Sequence, residues 1–324
     1  MRSLLAFLLV VLALPAAAQD IPDKCEIENA TSPYEITPTA GYDHDKFGPS
    51  PTGLVREFGA FKSSFDDDDD DDGVGQSDFR AVPEWVAYEI KAFTQDANGQ
   101  FEKPEGIKRN KWYRHSDLAF LWSSPGIKAG LDHSYSGVGN TFNRGHLAMK
   151  LHGDRIGWKQ GCNTHFFFNA VPQRAKFNKG IWLDLEILTG AWANKFSSVW
   201  VIAGPIFNDG EPVTFIGDPD EVPVAVPNAL FKIVIREVPG SDVPETLTFI
   251  HPQDHPDYVQ SCKRDKHDQT KFLTTIAEIE TQTGLRFFQS LSLTRAEWDQ
   301  LLNGKAEELW PVEPRFFGHN CGGL

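Results

Sequence analysis

The period of apolar and polar positions changes in the middle of the chain. Residues 164–169 are β-branched or aromatic at most positions, which is typical of a strand, and Pro172 is expected to end that strand. Beyond Pro172, apolar residues recur at steps of three and four, the pattern of a helix with one buried face. The members of this apolar stripe are Phe177, Ile181, Leu185, Leu188, Trp192 and Phe196. With residues 141–146 as an opposing strand, the pattern predicts strand, strand, helix.

Apolar patterns on either side of this unit predict further elements. Alternation over residues 82–93 predicts a strand, and the apolar runs at 199–203 and 230–235 predict two buried strands. Residues 272–284 have the pattern of an amphipathic helix that ends at a glycine, and residues 294–303 predict a short helix. Strands and helices in this order favour a single α+β domain.

The first residues have the composition of a signal peptide. Arg2 precedes an apolar run from Leu4 to Leu14, and small residues follow at positions 16–18. The apolar run is short for a membrane span. Residues 1–18 are therefore predicted to be cleaved on export, giving a secreted or periplasmic protein without membrane attachment. An uncleaved N-terminal anchor is the alternative.

Composition divides the rest of the chain into three parts. Residues 19–80 are rich in Pro, Gly and Asp and are predicted to form an irregular, acidic N-terminal arm. Its acidic run at 66–72 is compatible with a solvated loop, with Ca²⁺ capture or with competition against nucleic acid. Residues 81–291 are predicted to be one domain, followed by a C-terminal extension at 292–324. Two disulfides are expected, with three pairings open, among Cys25, Cys162, Cys262 and Cys321.

Charge is distributed unevenly along a chain whose formal net charge is −14. Residues 1–100 contain 7 basic against 19 acidic side chains, whereas residues 141–195 contain 8 basic against 3 acidic ones. A concentration of positive charge in an acidic protein indicates a surface for a polyanion, although the basic residues could merely coat the helix. The basic residues concerned are Arg144, Lys150, Arg155, Lys159, Arg174, Lys176 and Lys179.

Candidate chemistry is concentrated in the strand–strand–helix unit. Asn143-Arg144-Gly145-His146 closes the first strand, Asn169 and Gln173 flank a proline, and Asn178 and Glu186 lie on the helix. A histidine, with an unperturbed pKa of about 6.5, is suited to take a proton from water near neutral pH. An asparagine carbonyl is an oxygen ligand that Mg²⁺ accepts while keeping most of its waters. An arginine offers a planar, charged fork to a phosphate.

These motifs resemble those of the DNA/RNA non-specific endonuclease family, which belongs to the ββα-metal, or His-Me finger, nucleases. That family carries Asp-Arg-Gly-His, an Asn-Val-Ala-Pro-Gln-like strand end, and Asn, Trp and Leu-Glu on the helix. The matching residues are Arg144, Gly145, His146, Asn169, Pro172, Gln173, Asn178, Trp182, Leu185 and Glu186. The similarity covers roughly residues 80–291. It implies a central, mainly antiparallel β-sheet flanked by helices, containing a ββα-metal finger.

The resemblance also implies a role for each site residue. His146 would be the general base, and Arg144 would clamp phosphate oxygens. Asn178 would be the direct protein ligand of a single Mg²⁺, for which Mn²⁺ could substitute. Glu186 and Asn169 would orient metal-bound water or His146.

Two further positions bear on the comparison with the family motifs. Arg109 resembles a second family arginine that contacts the scissile phosphate, and Arg114 competes with it for that role. Asn143 stands where the family usually has Asp, so this position keeps a carbonyl acceptor but loses the charge. An altered rate or metal affinity is expected from that change.

The implied function is an exported Mg²⁺-dependent endonuclease that hydrolyses DNA and RNA with little sequence preference, since backbone contacts carry no direct sequence information. Two alternatives stay open: a phosphodiesterase acting on nucleotides or small phosphoesters, and a nucleic-acid-binding protein whose catalysis is weakened at Asn143. Neither the preferred nucleic acid nor the oligomeric state follows from the sequence.

Overall fold

The computed structural model describes most of the predicted domain. The described residues are 25, 39–50, 52–66, 80–102, 107–108, 112–261, 263 and 266–318. The predicted signal peptide at 1–18, Arg109, Cys262, Cys321 and the acidic run beyond Asp66 lie outside these residues. Within them, no helix combines the length and the apolar character that a membrane span requires.

A six-stranded sheet lies at the centre of the described chain, and each neighbouring pair of strands is antiparallel. The strands, in chain order, are β1 (Leu54–Glu57), β2 (Lys62–Phe65), β3 (Pro83–Lys91), β4 (Phe142–His146), β5 (Ala170–Arg174), β6 (Ser198–Ile206), β7 (Thr214–Ile216), β8 (Val224–Val226), β9 (Ala229–Arg236) and β10 (Glu245–Pro252). The order in the large sheet is β1-β2-β3-β6-β9-β10, while β4 pairs with β5 and β7 with β8. The predicted α+β class with a mainly antiparallel sheet is confirmed.

Helices lie on both faces of this sheet. They are α1 (Ala119–Ser123), α2 (Leu131–Ser134), α3 (Lys150–Asp154), α4 (Trp158–Asn163), α5 (Ala175–Phe177), α6 (Leu183–Phe196), α7 (Ile276–Thr283) and α8 (Arg295–Asn303). Alternate residues of β9 point to different layers, as the two-residue period of a strand requires. Leu230 and Val234 join the core that includes the apolar stripe of α6, whereas Phe231 and Ile233 join the core under α7 and α8.

The N-terminal arm predicted at 19–80 is not irregular throughout. Strands β1 and β2 lie inside it and extend the central sheet, because β2 pairs with β3. Phe58, Phe61 and Phe65 of this segment are fully buried. Each strand has only four residues, too few for a recognisable two-residue period.

The arm and the C-terminal segment are both fastened to the domain. Cys25 forms a disulfide with Cys162, one of the pairings left open by the sequence. Trp192 Nε1 on α6 donates to the Trp310 carbonyl at 2.9 Å. The helix predicted at 294–303 is confirmed as α8, and a capping box closes its start at Thr294. The helix predicted from residue 272 begins later, at Ile276, because Thr275 caps it.

Candidate active site

The predicted strand–strand–helix unit is present, but its second strand is displaced. Residues 167–169 form a 3₁₀ turn, and the strand β5 that pairs with β4 contains Pro172 instead of ending before it. The Pro172 carbonyl accepts a hydrogen bond from Gln253 Nε2 at 2.6 Å. The side of Pro172 that carries its carbonyl therefore faces away from β4. The N–H that proline lacks would lie on this same side, so its absence costs the β4–β5 ladder no hydrogen bond.

The helix of the unit runs from Ala175 to Phe196 through one π turn at Asn178–Trp182. Gly180 leaves helical geometry inside this turn, with φ −122° and ψ −111°. A Cβ at Gly180 would lie 2.3 Å from the Val259 carbonyl oxygen, so the close approach of the neighbouring loop requires glycine. The π turn also interrupts the regular four-residue spacing assumed for the helix from its sequence pattern.

His146, the predicted base, ends β4 and is held mainly through its backbone. Its carbonyl accepts hydrogen bonds from Trp182 Nε1 at 3.1 Å and from Gln173 Nε2 at 3.3 Å. The imidazole lies between the rings of Trp112 and His165, with centroid distances of 4.5 and 5.0 Å. Strand, helix and aromatic neighbours therefore all restrict where this imidazole can lie.

Gly145 makes the contact with Gln173 possible. A Cβ at this position would lie 2.1 Å from Gln173 Cδ, an impossible distance. The close backbone approach expected at Gly145 is thus present, and what approaches is the Gln173 side chain.

Asn169 is fully buried and acts on the backbone beside His146. Its Oδ1 accepts from the Ala148 N–H at 2.7 Å, and its Nδ2 donates to the carbonyls of Ala148 and Thr164, both at 2.8 Å. The Leu147 N–H in turn donates to the Asn169 carbonyl at 3.1 Å. Asn169 therefore clamps the segment that follows β4 to the turn that precedes β5.

Two arginines meet at Asp132 on α2. Arg144 Nη2 donates to the main-chain carbonyl of Asp132 at 2.7 Å, and Arg114 Nε donates to its carboxylate at 2.7 Å. The Arg144 guanidinium also lies over the ring of Tyr135, at 5.6 Å from the centroid. Burial raises the pKa of Tyr135 and Arg144 opposes that shift, so the phenol stays protonated. Of the two candidates for the second arginine, Arg109 is outside the described residues and Arg114 lies with Arg144.

Asn178, the predicted metal ligand, lies half-exposed in the π turn. Within the described residues its side chain makes no hydrogen bond, so its amide carbonyl is available to a cation. That part of the chain also contains no group of three or more His, Cys, Asp or Glu side chains placed to hold a metal. One amide oxygen completed by water fits Mg²⁺, which prefers oxygen ligands and keeps several waters.

Asn143 lies opposite Gln173 in the β4–β5 register. Its Nδ2 is buried and has no hydrogen-bond partner among the described residues. A buried donor without an acceptor is unfavourable, and an Asp at this position would present an oxygen instead.

Glu186 is buried on α6 beside a lysine to which the sequence assigned no role. Burial lowers the pKa of Lys232 to about 8, and the Glu186 carboxylate acts in the opposite direction by favouring the ammonium form. Burial likewise raises the pKa of Tyr88, with Glu186 adding to that shift. Lys232 interrupts an otherwise apolar strand in the sequence, and this interruption was the available signal.

Two members of the predicted basic surface are bonded to groups of the protein itself. Lys150 is buried and forms an ion pair with Asp154 at 2.7 Å. Arg155 donates to the carbonyls of Lys91 and Gly190, and burial lowers the pKa of Arg155 to about 9. Each of these two side chains is already bonded to an acceptor within the protein. The members that remain at least partly exposed are Arg144, Arg155, Lys159, Arg174, Lys176 and Lys179.

The known proteins to which this chain is similar are nucleases. The chain is 29% identical over 157 residues to "Nuclease EXOG, mitochondrial" of Danio rerio, which covers 46% of this chain and 43% of that protein. It is 28% identical over 164 residues to the Homo sapiens protein of the same name, covering 48% and 42%. It is 25% identical over 293 residues to "Endonuclease G, mitochondrial" of Caenorhabditis elegans, covering 84% and 86%. The chain thus spans less than half the length of the EXOG relatives.

These relatives correct one prediction. A secreted or periplasmic location was expected from the N-terminal residues, but the EXOG relatives from four vertebrates are mitochondrial nucleases. The predicted location is therefore wrong. The physical reason is that an apolar run with small residues describes how a segment partitions and is cleaved, and does not by itself identify a compartment.

The fold and the family agree with the site geometry. A solved structure of an EndoG/EndoGI complex superposes with a TM-score of 0.56 at 20% identity, covering 81% of this chain and 95% of that chain, which shows a shared fold. The family model of the DNA/RNA non-specific endonucleases matches residues 73–293, a segment that contains β4, β5, the π turn and α6. The ribbon with His146 at its end and the helix with Asn178 at its start are thus parts of a protein that belongs to the DNA/RNA non-specific endonuclease family.

Proposed function

We propose that this protein is a Mg²⁺-dependent endonuclease that hydrolyses phosphodiester bonds of DNA and RNA with little base preference, and that Mn²⁺ can replace Mg²⁺. The observation that carries the proposal is the convergence on one ββα unit. His146 is held there by Trp182 and Gln173, and the side-chain amide of Asn178 on the adjoining helix makes no hydrogen bond to the residues that the structure describes. An imidazole base and a neutral oxygen ligand on one ββα unit suit metal-assisted hydrolysis of a phosphodiester.

In this mechanism His146 takes a proton from the attacking water. The base must be the neutral imidazole, and a backbone held by two side-chain donors keeps the ring in one position while the proton moves. Trp112 covers one side of the ring and limits access of bulk water there. Proton transfer of this kind typically contributes about 10²- to 10⁴-fold to a rate.

Arg144 and Arg114 are the proposed phosphate clamps. Their shared partner Asp132 fixes both guanidinium groups, which lowers the entropy cost of presenting them to phosphate oxygens. Arg109 stays a further candidate for this role on the resemblance of its sequence context. A Mg²⁺ ion held by Asn178 would supply positive charge to the phosphate and to the leaving oxygen.

Glu186 and Asn169 have supporting roles in this proposal. Asn169 fixes the backbone on which His146 stands, through its bonds to Ala148 and Thr164. Glu186 would orient water around a cation held at Asn178, a role that the family resemblance implies and that its burial on the same helix supports.

Recognition would rest on the backbone of the nucleic acid. Lys176 and Lys179 are exposed at the start of the helix, and Arg174 is half-exposed at the end of β5. Contacts from such side chains to phosphates give affinity that depends on salt and carries no sequence information. Little base preference follows from this kind of contact.

The test is cleavage of plasmid DNA and of RNA with Mg²⁺, with Mn²⁺ and with EDTA, alongside a small phosphodiester such as bis(p-nitrophenyl) phosphate. We expect cleavage of both polymers that EDTA abolishes, with much weaker action on the small ester. Asn178→Ala should need more Mg²⁺ for half-maximal rate, whereas Asn303→Ala, at the exposed end of α8, should not. Superimposable Mg²⁺ titrations of wild type and Asn178→Ala would remove Asn178 as the ligand, and preference for the small ester would contradict a polymer nuclease.

A further inference from the structure

Lys232 occupies a position where an apolar residue is expected. It lies in the middle of β9, and its cross-strand neighbours are Ala203 on β6 and Phe249 on β10. The flanking residues Phe231 and Ile233 are fully buried, as is Lys232 itself. Transfer of an ammonium group into such surroundings is costly unless a specific interaction compensates it.

The close contact of this ammonium group is an aromatic face. Lys232 Nζ lies 3.9 Å from the centroid of the Trp182 ring, and among the described residues it has no hydrogen-bond partner. A cation over the face of a tryptophan is attracted by the ring quadrupole, and the attraction is largest when the pair is shielded from water. Lys232 therefore stabilises one orientation of the indole.

The N–H of the same indole contacts the candidate active site. Trp182 Nε1 donates to the His146 carbonyl at 3.1 Å. Rotation of the ring that weakened its contact with Lys232 would also move this N–H. Trp182 thus contacts Lys232 in the middle of β9 through its ring face, and it contacts His146 at the end of β4 through its indole N–H.

Charges around Lys232 favour its ionised form. The Glu186 carboxylate on α6 attracts the ammonium group, while burial opposes ionisation. Two further titratable groups facing this space are Tyr88 on β3 and His251 on β10. Burial raises the pKa of Tyr88 and lowers the pKa of His251 to about 3, so both stay neutral near pH 7.

We infer that Lys232 is a positioning residue of the active site, which holds the Trp182 indole against the His146 carbonyl and balances the charge of Glu186. This inference rests on the proposed function, since it assigns to Lys232 an effect on the base of that reaction. Lys232 touches neither substrate nor metal in this role. Its effect is transmitted through Trp182.

A role in packing alone makes the opposite prediction. Methionine has nearly the length and shape of the lysine stem, and replacing a buried charge with a well-packed apolar group is often neutral or stabilising. Lys232→Met should therefore keep the fold while removing the contact with the ring. Loss of rate without loss of stability distinguishes positioning from packing.

The first experiment measures kcat, KM and the melting temperature of Lys232→Met on plasmid DNA. We expect kcat to fall by about 10- to 100-fold, as for partners that orient site residues, with KM nearly unchanged and no comparable fall in melting temperature. Lys232→Arg, which keeps a cation over the ring, should recover part of the rate. The matched control is Lys46→Met, because Lys46 Nζ lies 4.8 Å from the Trp200 ring centroid on the other side of the sheet. It should keep wild-type kcat.

The second experiment asks whether Lys232 acts through Trp182. Trp182→Phe keeps a ring but removes the N–H that bonds His146, so in a double-mutant cycle the two losses of kcat should not multiply. Independently of activity, hydrogen exchange of the Trp182 indole N–H should be faster in Lys232→Met. Wild-type kcat in Lys232→Met, a rate loss that follows the melting temperature, or multiplicative losses would each overturn the inference. A wild-type protein that cleaves nothing would defeat the proposed function instead, and indole exchange would still test the link.

Discussion

The two faces of the central sheet are built from alternate residues of the same strands but carry different kinds of side chain. Towards α6, β9 presents Lys232, whose ammonium group interacts with the Glu186 carboxylate. Towards α7 and α8, the same strand presents Phe231 and Ile233, which pack only in an apolar core. Buried ionisable groups cost free energy, whereas buried apolar groups supply it. At β9, the face behind the site therefore carries a charge that lowers stability, whereas the opposite face carries apolar side chains that raise it.

The largest expected effect is on the site side. His146→Ala should lower cleavage by about 10²- to 10⁴-fold, because it removes the proposed base while its backbone bonds to Trp182 and Gln173 remain possible. Unfolding by urea should be nearly unchanged. The measurement is the initial rate on plasmid DNA, with His255→Ala as a control outside the ribbon. Retention of more than half of the wild-type rate would remove His146 from the mechanism.

The second prediction concerns the opposite face. Phe231→Ala removes a fully buried ring from the core under α7 and α8 and should lower the free energy of unfolding by about 3–5 kcal/mol. The rate per folded molecule should stay close to wild type, because Phe231 touches the layer away from the site. Urea unfolding followed by activity at low temperature measures both quantities. A fall in kcat of the folded enzyme as large as that of Lys232→Met would show that the two faces are not separate in function.

A smaller effect is expected from the titration of His251. Burial lowers the pKa of His251 to about 3, against an ordinary value of 6.5. Between these two pH values the unfolded chain binds a proton that the folded chain does not. Stability therefore falls as the pH decreases from 6.5 towards 3, with a slope of at most about 1.4 kcal/mol per pH unit from this residue. In His251→Gln the decline should be shallower when unfolding is measured at several pH values, and identical slopes would exclude this contribution.

The smallest predicted effect is an increase in cleavage activity. Asn143→Asp replaces the buried Nδ2, which has no partner among the described residues, by an oxygen beside Arg144. The added charge also approaches the incoming phosphate, which is unfavourable, but Arg144 and the cation offset it. We expect a higher rate or a lower Mg²⁺ requirement, measured by Mg²⁺ titration of initial rates. A large loss of cleavage with unchanged folding would show that this site is built around the neutral amide.

Several features followed from the sequence because they depend on neighbours along the chain. The apolar stripe from Phe177 to Phe196 identified the long helix, since a 3.6-residue period is a local property. The short helix predicted at 294–303 is present as α8, which the structure shows to be closed by a local capping box at Thr294. The spacing of the motifs around His146 and Asn178 indicated the family, and the family match confirms it.

Other features depended on contacts between distant residues. Pro172 looked like the end of a strand, and only Gln253 shows that its edge faces away from the ladder. Lys150 and Arg155 looked like surface charge, but Lys150 is buried in an ion pair with Asp154 and Arg155 is bonded to two main-chain carbonyls. Strand pairing, the burial of charge and the direction of a side chain are decided by which elements pack together, and periodicity does not contain that information.

The proposed site also combines features predicted from local sequence with features that depend on contacts between distant residues. The residues proposed for the site, His146, Arg144, Asn178, Glu186 and Asn169, were predicted from the sequence, because each lies in a motif that resembles the family's. Tertiary structure alone brought Arg114 and Arg144 to Asp132, and it alone placed the ammonium group of Lys232 against Trp182. Motifs specify which chemical groups are available. Their positions are set by packing across the sheet, because a buried cation is stable only where the fold supplies its partner.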